Sequence, residues 1–176
     1  MKKCALFLFL VISLFSCKKE QEIINYIEIN GQSYQLRHAF FEDYGTTMWG
    51  VDVPYREYYI ELQSHETDFP SSMLGFYLYS WDTRNIGDGT YRFGGNSGDF
   101  QQAFAGVRMQ YDSKGQLVDG LLLENLDPAY NNRIDIRSGK RNKIFDINLR
   151  FIKGGQSYTV TAHYENTMVE HIPVGY

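Results

Sequence analysis

The stretch KIFDINLRFIKGGQSYTVTAHYEN, residues 143–166, decides the fold class of this chain. Apolar and aromatic side chains occupy every second position before Gly154-Gly155, and the same alternation resumes after that pair. The apolar positions are Phe145, Ile147, Leu149 and Phe151 in the first half and Tyr158, Val160, Ala162 and Tyr164 in the second. A period of two residues is typical of a β-strand with one buried face, and paired glycines are typical of a two-residue turn. The stretch therefore predicts an antiparallel hairpin with Ile147 and Val160 in the core.

The same alternation continues through most of the chain from Ile24 onward. Its other apolar faces are Ile27 and Ile29; Tyr34 and Leu36; Tyr58, Ile60 and Leu62; Leu74, Phe76 and Leu78; and Val107, Met109 and Tyr111. Asn30-Gly31 predicts a hairpin turn, and Asp112–Gly115 predicts another. No segment keeps a helical period for ten residues. Only Asp99–Phe104 is predicted as a short helical turn, which Gly98-Asp99 would cap.

About ten short strands joined by turns predict a single all-β domain. An antiparallel β-sandwich and a closed β-barrel both satisfy this pattern, and the spacing of the strands leaves the two open. The longest stretches without alternation are Tyr44–Tyr55, Ser64–Ser72 and Trp81–Gln101. Long loops on a rigid sheet are where binding residues concentrate, so these segments are the first places to look for a site.

The N-terminus predicts export from the cytoplasm. Lys2 and Lys3 precede the apolar stretch Ala5–Phe15, which would reach about 16 Å as a helix and is too short for a bilayer core of about 30 Å. A basic start followed by such a stretch is typical of a signal peptide. The residues Leu14-Phe15-Ser16-Cys17 resemble a lipobox, and that resemblance implies that the Cys17 thiol is acylated after cleavage.

Three segments follow from this interpretation. Residues 1–16 are predicted to be a lipoprotein signal peptide, residues 17–23 the lipidated cysteine and its hydrated tether, and residues 24–176 the all-β domain. We expect the mature protein in the cell envelope, held by its lipid in the outer membrane; the periplasmic and surface faces both remain open. The anchor makes the membrane the first predicted partner.

Composition narrows the remaining partners. The 160 residues of the mature chain carry 15 basic and 21 acidic side chains, without a cluster of Lys and Arg, which argues against nucleic acid. Cys4 lies in the signal peptide and Cys17 would carry lipid, so no cysteine is left for a disulfide or for thiol catalysis.

Catalytic motifs are absent from the sequence. It has no H-E-x-x-H, no G-x-S-x-G and no glycine-rich phosphate loop, and none of its four histidines is spaced for a local metal pair. We predict no catalytic residue, no metal and no cofactor. Aspartates in or near the loops could supply a carboxylate pair for a hydrolase, although such residues more often cap turns; they are Asp43, Asp52, Asp82, Asp88 and Asp99.

Aromatic side chains are the candidate binding residues. Tyr77, Tyr79 and Trp81 share one face of a strand whose other face, with Phe76 at its centre, supplies the core. Tyr59 lies likewise opposite apolar neighbours, and Trp49 belongs to the first long loop. Tyr and Trp offer a flat apolar face with a polar tip, which suits stacking on a sugar or packing against a protein. The alternative is that both faces of these strands are buried.

The folded part resembles the uncharacterised small lipoproteins that are common in Bacteroidota. The residues that carry the resemblance are Ile29-Asn30-Gly31-Gln32-Ser33-Tyr34, Gly89-Thr90-Tyr91-Arg92-Phe93, Ser138-Gly139, Phe145-Asp146-Ile147-Asn148-Leu149 and Gly154-Gly155-Gln156-Ser157-Tyr158-Thr159-Val160. The closing strand departs from the usual glycine-flanked pattern, with Ala162-His163-Tyr164-Glu165-Asn166. The resemblance implies an all-β lipoprotein and supplies no catalytic residue.

The sequence therefore predicts a lipid-anchored protein with a non-catalytic binding or accessory role in the cell envelope. Its partner would be an envelope protein or a polysaccharide. A lipocalin-like carrier of a small apolar ligand is the first alternative, and it requires a barrel whose interior is not filled by side chains. A hydrolase of envelope or polysaccharide substrates is the second.

Overall fold

The described part of the chain is built from β-strands. The computed structural model describes residues 25–47, 54–65, 69–94, 98–140 and 142–171, and these contain no helix. Hence none of the described residues forms a helix long and apolar enough to cross a membrane. The strands are β1 (Tyr26–Ile29), β2 (Gln32–Gln35), β3 (His38–Thr47), β4 (Tyr55–Gln63), β5 (Ser72–Ser80), β6 (Gly89–Phe93), β7 (Asp99–Tyr111), β8 (Leu117–Leu123), β9 (Arg133–Ser138), β10 (Lys143–Lys153), β11 (Gln156–Asn166) and β12 (Val169–Glu170).

All twelve strands belong to one strongly curled sheet that resembles half of a barrel. Its order is β12-β3-β4-β5-β7-β6-β9-β10-β11-β1-β2, and β8 pairs with β7 beside this path. Most neighbours are antiparallel, but β6 runs parallel to β7 and β12 runs parallel to β3. The all-β class is as predicted.

The hairpin predicted from residues 143–166 is the most regular part of the sheet. β10 and β11 pair over their full length, with Ile147 opposite Ala162 and Leu149 opposite Val160. Ile147 and Val160 are both buried, as the alternation predicts. Gly154 and Gly155 both have positive φ angles, 58° and 78°, as a type I′ turn requires. This hairpin forms one wall of the core.

Asn30-Gly31 also turns as predicted. Both residues have positive φ, so they form the same kind of turn between β1 and β2. The Asn30 side chain accepts a hydrogen bond from the Thr159 backbone at 3.0 Å, and this contact ties the turn to β11. The first hairpin is thereby joined to the last one, about 130 residues away in the chain.

The concave side of the sheet is packed with side chains. Phe76 of β5 and Phe145 of β10 meet across the curl, with ring centroids 6.2 Å apart. The largest fully buried side chains are Tyr91, Tyr164, Phe76, Phe100, Phe145, Phe151, Ile27, Leu36, Ile60, Leu62, Leu74 and Leu78. Burying this apolar surface is the dominant force that holds the curled sheet together.

The predicted helical turn at Asp99–Phe104 is wrong, because these residues begin β7. A β-bulge explains the error. Phe100 pairs with Leu78 and Ala103 with Phe76, so one extra residue of β7 is accommodated between these pairs. Phe100 and Ala103 both point into the core at a spacing of three, which imitates a helical period. The stretch Trp81–Gln101, expected to be irregular, likewise contains β6.

Several predicted features lie outside the described residues. They are the signal peptide, Cys17 with its tether, and Trp49.

Candidate binding surface

The convex face of β3, β4, β5 and β7 carries four neighbouring aromatic side chains, which we call the ring row: Tyr44, Tyr77, Tyr59 and Phe104. Tyr44 and Tyr77 are stacked, with centroids 6.3 Å apart and planes at 20°. Tyr77 and Tyr59 follow at 5.1 Å, and Tyr59 and Phe104 at 6.1 Å. The ring row crosses four strands, and its outermost member, Tyr44, is 52% exposed.

Strand pairing brings the ring row together. Tyr59 and Tyr77 are direct partners across β4 and β5, so their rings lie on the same side of the sheet. Tyr44 lies in a bulge of β3, where the register shifts between Asp43 and Gly45. Gly45 has a φ of 85° and its N–H donates to the Asp43 carboxylate at 2.9 Å, which holds this bulge. The opposite faces of these strands supply the core.

Phe104 is held over a glycine. Gly75 is its partner on β5, and a Cβ placed on Gly75 would lie 2.2 Å from Cζ of the Phe104 ring. Only a residue without a side chain leaves room for the ring to lie on the sheet beside Tyr59. The glycine thus determines where the ring row ends.

Three glutamates lie among these rings. Glu42 accepts a hydrogen bond from the Tyr44 hydroxyl at 2.7 Å, which lowers the pKa of its carboxyl, and a contact with His171 lowers it further. Glu61 accepts one from the Tyr59 hydroxyl at 2.5 Å. Burial raises the pKa of Glu57. Burial, together with the neighbouring Glu61, also raises the pKa of the Tyr59 hydroxyl. The surface is therefore aromatic and acidic.

The candidate residues do not form one strip. Tyr59 and Tyr77 belong to the ring row, whereas Tyr79 is buried, with 7% of its surface exposed. Tyr79 packs against Tyr55 at 4.6 Å and donates its hydroxyl proton to Gln101. Burial raises the pKa of Tyr79 to about 12. Tyr79 is a packing residue at the end of this face.

Trp81 lies away from the ring row. It is 43% exposed, more than Tyr79, but its ring stacks on the buried Tyr91 at 4.7 Å with planes at 9°. The rest of the ring covers glycines: a Cβ on Gly89 would lie 2.3 Å from it, and one on Gly98 2.9 Å. These contacts make Trp81 a cover for the end of the core.

A cleft of about 540 Å³ opens at one end of the curled sheet. Phe41 and Tyr58 form apolar parts of its wall, and burial raises the pKa of Tyr58 to about 12. The remaining lining residues include Asp43, Arg84, Asn85, Ile86, Ser138, Asn142, Lys143, Met168 and Glu170. Three of the charged lining residues form ion pairs with residues beside the cleft: Asp43 with Arg56, Arg84 with Asp82 and Lys143 with Asp88.

Two of the loop aspartates, Asp88 and Asp82, accept hydrogen bonds from nearby residues of the domain. Lys143 and Ser138 bind Asp88 and lower the pKa of its carboxyl. Asp82 accepts the Arg84 backbone N–H at 2.9 Å, which lowers its pKa too. Asp52 lies outside the described residues, within which no group of three His, Cys, Asp or Glu is placed to hold a metal ion.

Two members of the ring row, Tyr44 and Phe104, are not among the predicted site residues. The alternation pattern places Tyr44 in a loop and Phe104 in a helical turn, so neither is assigned to a sheet face. Gly75 is the signal in the sequence that could have found Phe104, because a glycine inside an alternating strand indicates a close approach by another group.

Comparison of the chain with models of known protein families, with curated proteins and with solved structures finds no match.

Proposed function

We propose that this chain is a lipid-anchored protein of the cell envelope that binds a partner, without catalysis, through the ring row. The ring row is the observation that carries the proposal. Its four aromatic side chains lie on the convex side of strands whose concave side is already filled. Apolar side chains that are exposed singly are normal on a protein surface, whereas a cluster of exposed aromatic rings is typical of a binding surface.

The anchor and the surface fit together in this role. Acylation at Cys17, followed by the polar segment 18–22, would leave the domain close to the membrane surface, where envelope partners are concentrated. A domain that only has to hold a partner needs exposed contact area rather than an enclosed pocket. The outward position of the ring row supplies that area.

The alternatives receive less support from the geometry. A carrier of apolar ligands needs an empty interior, whereas buried aromatic and aliphatic side chains fill the described concave side. It would have to use the cleft beside Phe41 and Tyr58, whose lining also carries the charged side chains of Asp43, Arg84, Lys143 and Glu170. A glycoside hydrolase needs one carboxyl with a raised pKa near a second carboxyl, and the loop aspartates Asp43, Asp82 and Asp88 do not supply it, because their pKa values are lowered.

Photo-crosslinking in the producing cell tests the proposed surface. A benzophenone amino acid replaces Tyr44, the most exposed member of the ring row, in the full-length protein with its native signal. We expect an ultraviolet-dependent adduct of higher mass. The matched control is the same replacement at Tyr26, a half-buried tyrosine of β1 that stacks on His163 at 6.3 Å. Equal adducts at both positions, or none at Tyr44, would contradict the proposal.

A further inference from the structure

We propose that the ring row and its glutamates bind a basic segment of a protein, with arginine side chains as the main contacts. This inference rests on the proposed function and names the chemistry of its partner. It follows from three properties of the convex face. Tyrosine hydroxyls of the face already donate hydrogen bonds to its glutamates, one buried acceptor has no partner, and the outward charged side chains are mainly acidic.

Two of the three tyrosine hydroxyls of the ring row already donate hydrogen bonds within this surface. The Tyr44 hydroxyl donates to Glu42 at 2.7 Å, and the Tyr59 hydroxyl donates to Glu61 at 2.5 Å. The Gln63 amide nitrogen also donates to Glu61. Glu42 also binds His171 Nδ1 at 2.9 Å, so Glu42 and Glu61 each use two of about four acceptor sites and keep the others available. A partner must therefore bring hydrogen-bond donors.

Gln63 provides an independent indication. Its side chain lies beside Glu61 and is 7% exposed, yet its amide oxygen has no hydrogen-bond partner. The orientation of the amide is settled by Glu61, because the opposite orientation would place two acceptor oxygens in contact. This oxygen is closed to solvent in the free protein, so a donor reaches it only when the side chains around it move. A donor that does so is favoured, because a buried acceptor without a partner is destabilising.

The outward charged side chains of β4 and β5 are acidic, and the acidic Glu42 of β3 also binds His171. The outward positions of β4 and β5 include Glu57 and Glu61, and Glu42 adjoins them from β3. Arg56 is the one Lys or Arg of these two strands, and it is turned away into its ion pair with Asp43. A cationic partner would meet complementary charge here, whereas an anionic one would be repelled.

Arginine satisfies all three properties together. The guanidinium group carries five N–H donors and no acceptor, and its plane stacks on aromatic faces such as those of Tyr44 and Tyr77. Sugar hydroxyls would bring acceptors together with their donors. Lysine supplies the charge and the donors but not the stacking plane, so arginine should bind better than lysine at the ring row.

The test measures binding of fluorescein-labelled octa-arginine to the full-length protein, purified from membranes in a non-ionic detergent, by fluorescence anisotropy. One variant carries E42Q, E57Q and E61Q. Its control carries E28Q, E124Q and E165Q. These make the same change of charge at glutamates of β1, of the segment after β8 and of β11, none of which belongs to the four strands of the ring row. Each surface charge pair contributes little by itself, so we expect the three changes of the first variant together to weaken binding about tenfold. The affinity of the control should change by less than about twofold. Octa-lysine should bind the unsubstituted protein less tightly than octa-arginine.

An equal loss of affinity in the two variants would show a general attraction to an acidic protein and would overturn the inference. Failure of the unsubstituted protein to bind octa-arginine would overturn it as well. Neither result decides the cross-linking experiment at Tyr44. An adduct whose attached partner keeps its high mass after protease digestion would identify a polysaccharide, which keeps the proposed function and rejects the basic protein segment.

Discussion

The ring of Phe104 lies over Gly75, so close that a Cβ on the glycine would be 2.2 Å from the ring. This contact connects the order of the sheet to its surface chemistry. β5 and β7 are neighbours although β6 lies between them in the chain, and their pairing brings the glycine under the ring. Phe104 then extends the aromatic surface that begins at Tyr44.

Substitution of this glycine tests the contact directly. Gly75→Ala should lower the free energy of unfolding by about 1–3 kcal/mol, because the ring has to move to admit a methyl group. In a Phe104→Ala background the same change should be neutral or stabilising by up to about 1 kcal/mol, since alanine suits a strand interior better than glycine does. Urea unfolding of the unsubstituted protein, the two single variants and the double variant measures the effect of Gly75→Ala in each background. Equal effects of Gly75→Ala in the two backgrounds would show that the ring does not lie there.

Two rings of similar exposure should differ in their effect on stability. Trp81 and Tyr44 are 43% and 52% exposed, but Trp81 covers Tyr91 and neighbouring glycines, whereas Tyr44 lies on the outer surface. We expect Trp81→Ala to cost about 2–3 kcal/mol, below the range for a fully buried tryptophan, and Tyr44→Ala to cost less than about 1 kcal/mol. Thermal unfolding followed by circular dichroism compares them. A larger loss for Tyr44→Ala would contradict the assignment of the two rings.

The Asp43–Arg56 ion pair should make stability depend on acid pH. The Arg56 guanidinium holds the pKa of the Asp43 carboxyl below its ordinary value of 3.8. The carboxyl therefore binds protons more readily in the unfolded chain, and the stabilisation is present above pH 3.8 and lost as pH falls through the lower folded pKa. The stability difference between the unsubstituted protein and Asp43→Asn should be largest near neutral pH and disappear below that folded value.

Urea unfolding at several pH values between 7 and 2.5 measures that difference. Asp119→Asn is the control, because Asp119 is an exposed carboxylate of β8 that forms no ion pair in the described part of the chain. It should change stability little at neutral pH. A difference for Asp43→Asn that is the same at every pH would exclude an ionised pair as its source.

The lipid anchor gives a prediction about location. If Cys17 is acylated, the full chain expressed in a bacterial host should fractionate with membranes and incorporate a fatty-acid analogue. Cys17→Ser should abolish both, because one hydroxyl in place of the thiol removes the site of attachment. Cys4→Ser, which changes the cysteine inside the predicted signal peptide, should leave both intact. A soluble, unlabelled product from the unsubstituted gene would refute the anchor.

Local chemistry was sufficient to predict the strands and their turns. Alternation along β10 and β11 identifies which residues are buried, since successive side chains of a strand point to opposite faces. Asn30-Gly31 and Gly154-Gly155 specify their turns because few other residues tolerate two positive φ angles in succession. These signals lie within a few residues of each other, so no knowledge of distant neighbours is needed. Where a bulge interrupts the alternation, at Phe100 and Ala103, the same reasoning predicts a helical turn incorrectly.

Only the tertiary structure decided which outward side chains became neighbours. Alternation places Tyr77, Tyr79 and Trp81 on the side of one strand that is opposite the core. The pairing of the other strands then determines which residues each of them contacts. Tyr77 joins Tyr44 and Tyr59 because β3 and β4 lie beside β5, while Trp81 turns onto Tyr91 of β6. Sequence by itself determined the faces of the strands, and the order and curl of the sheet determined the surface. Strand order depends on long-range packing of the whole core, which no local pattern encodes.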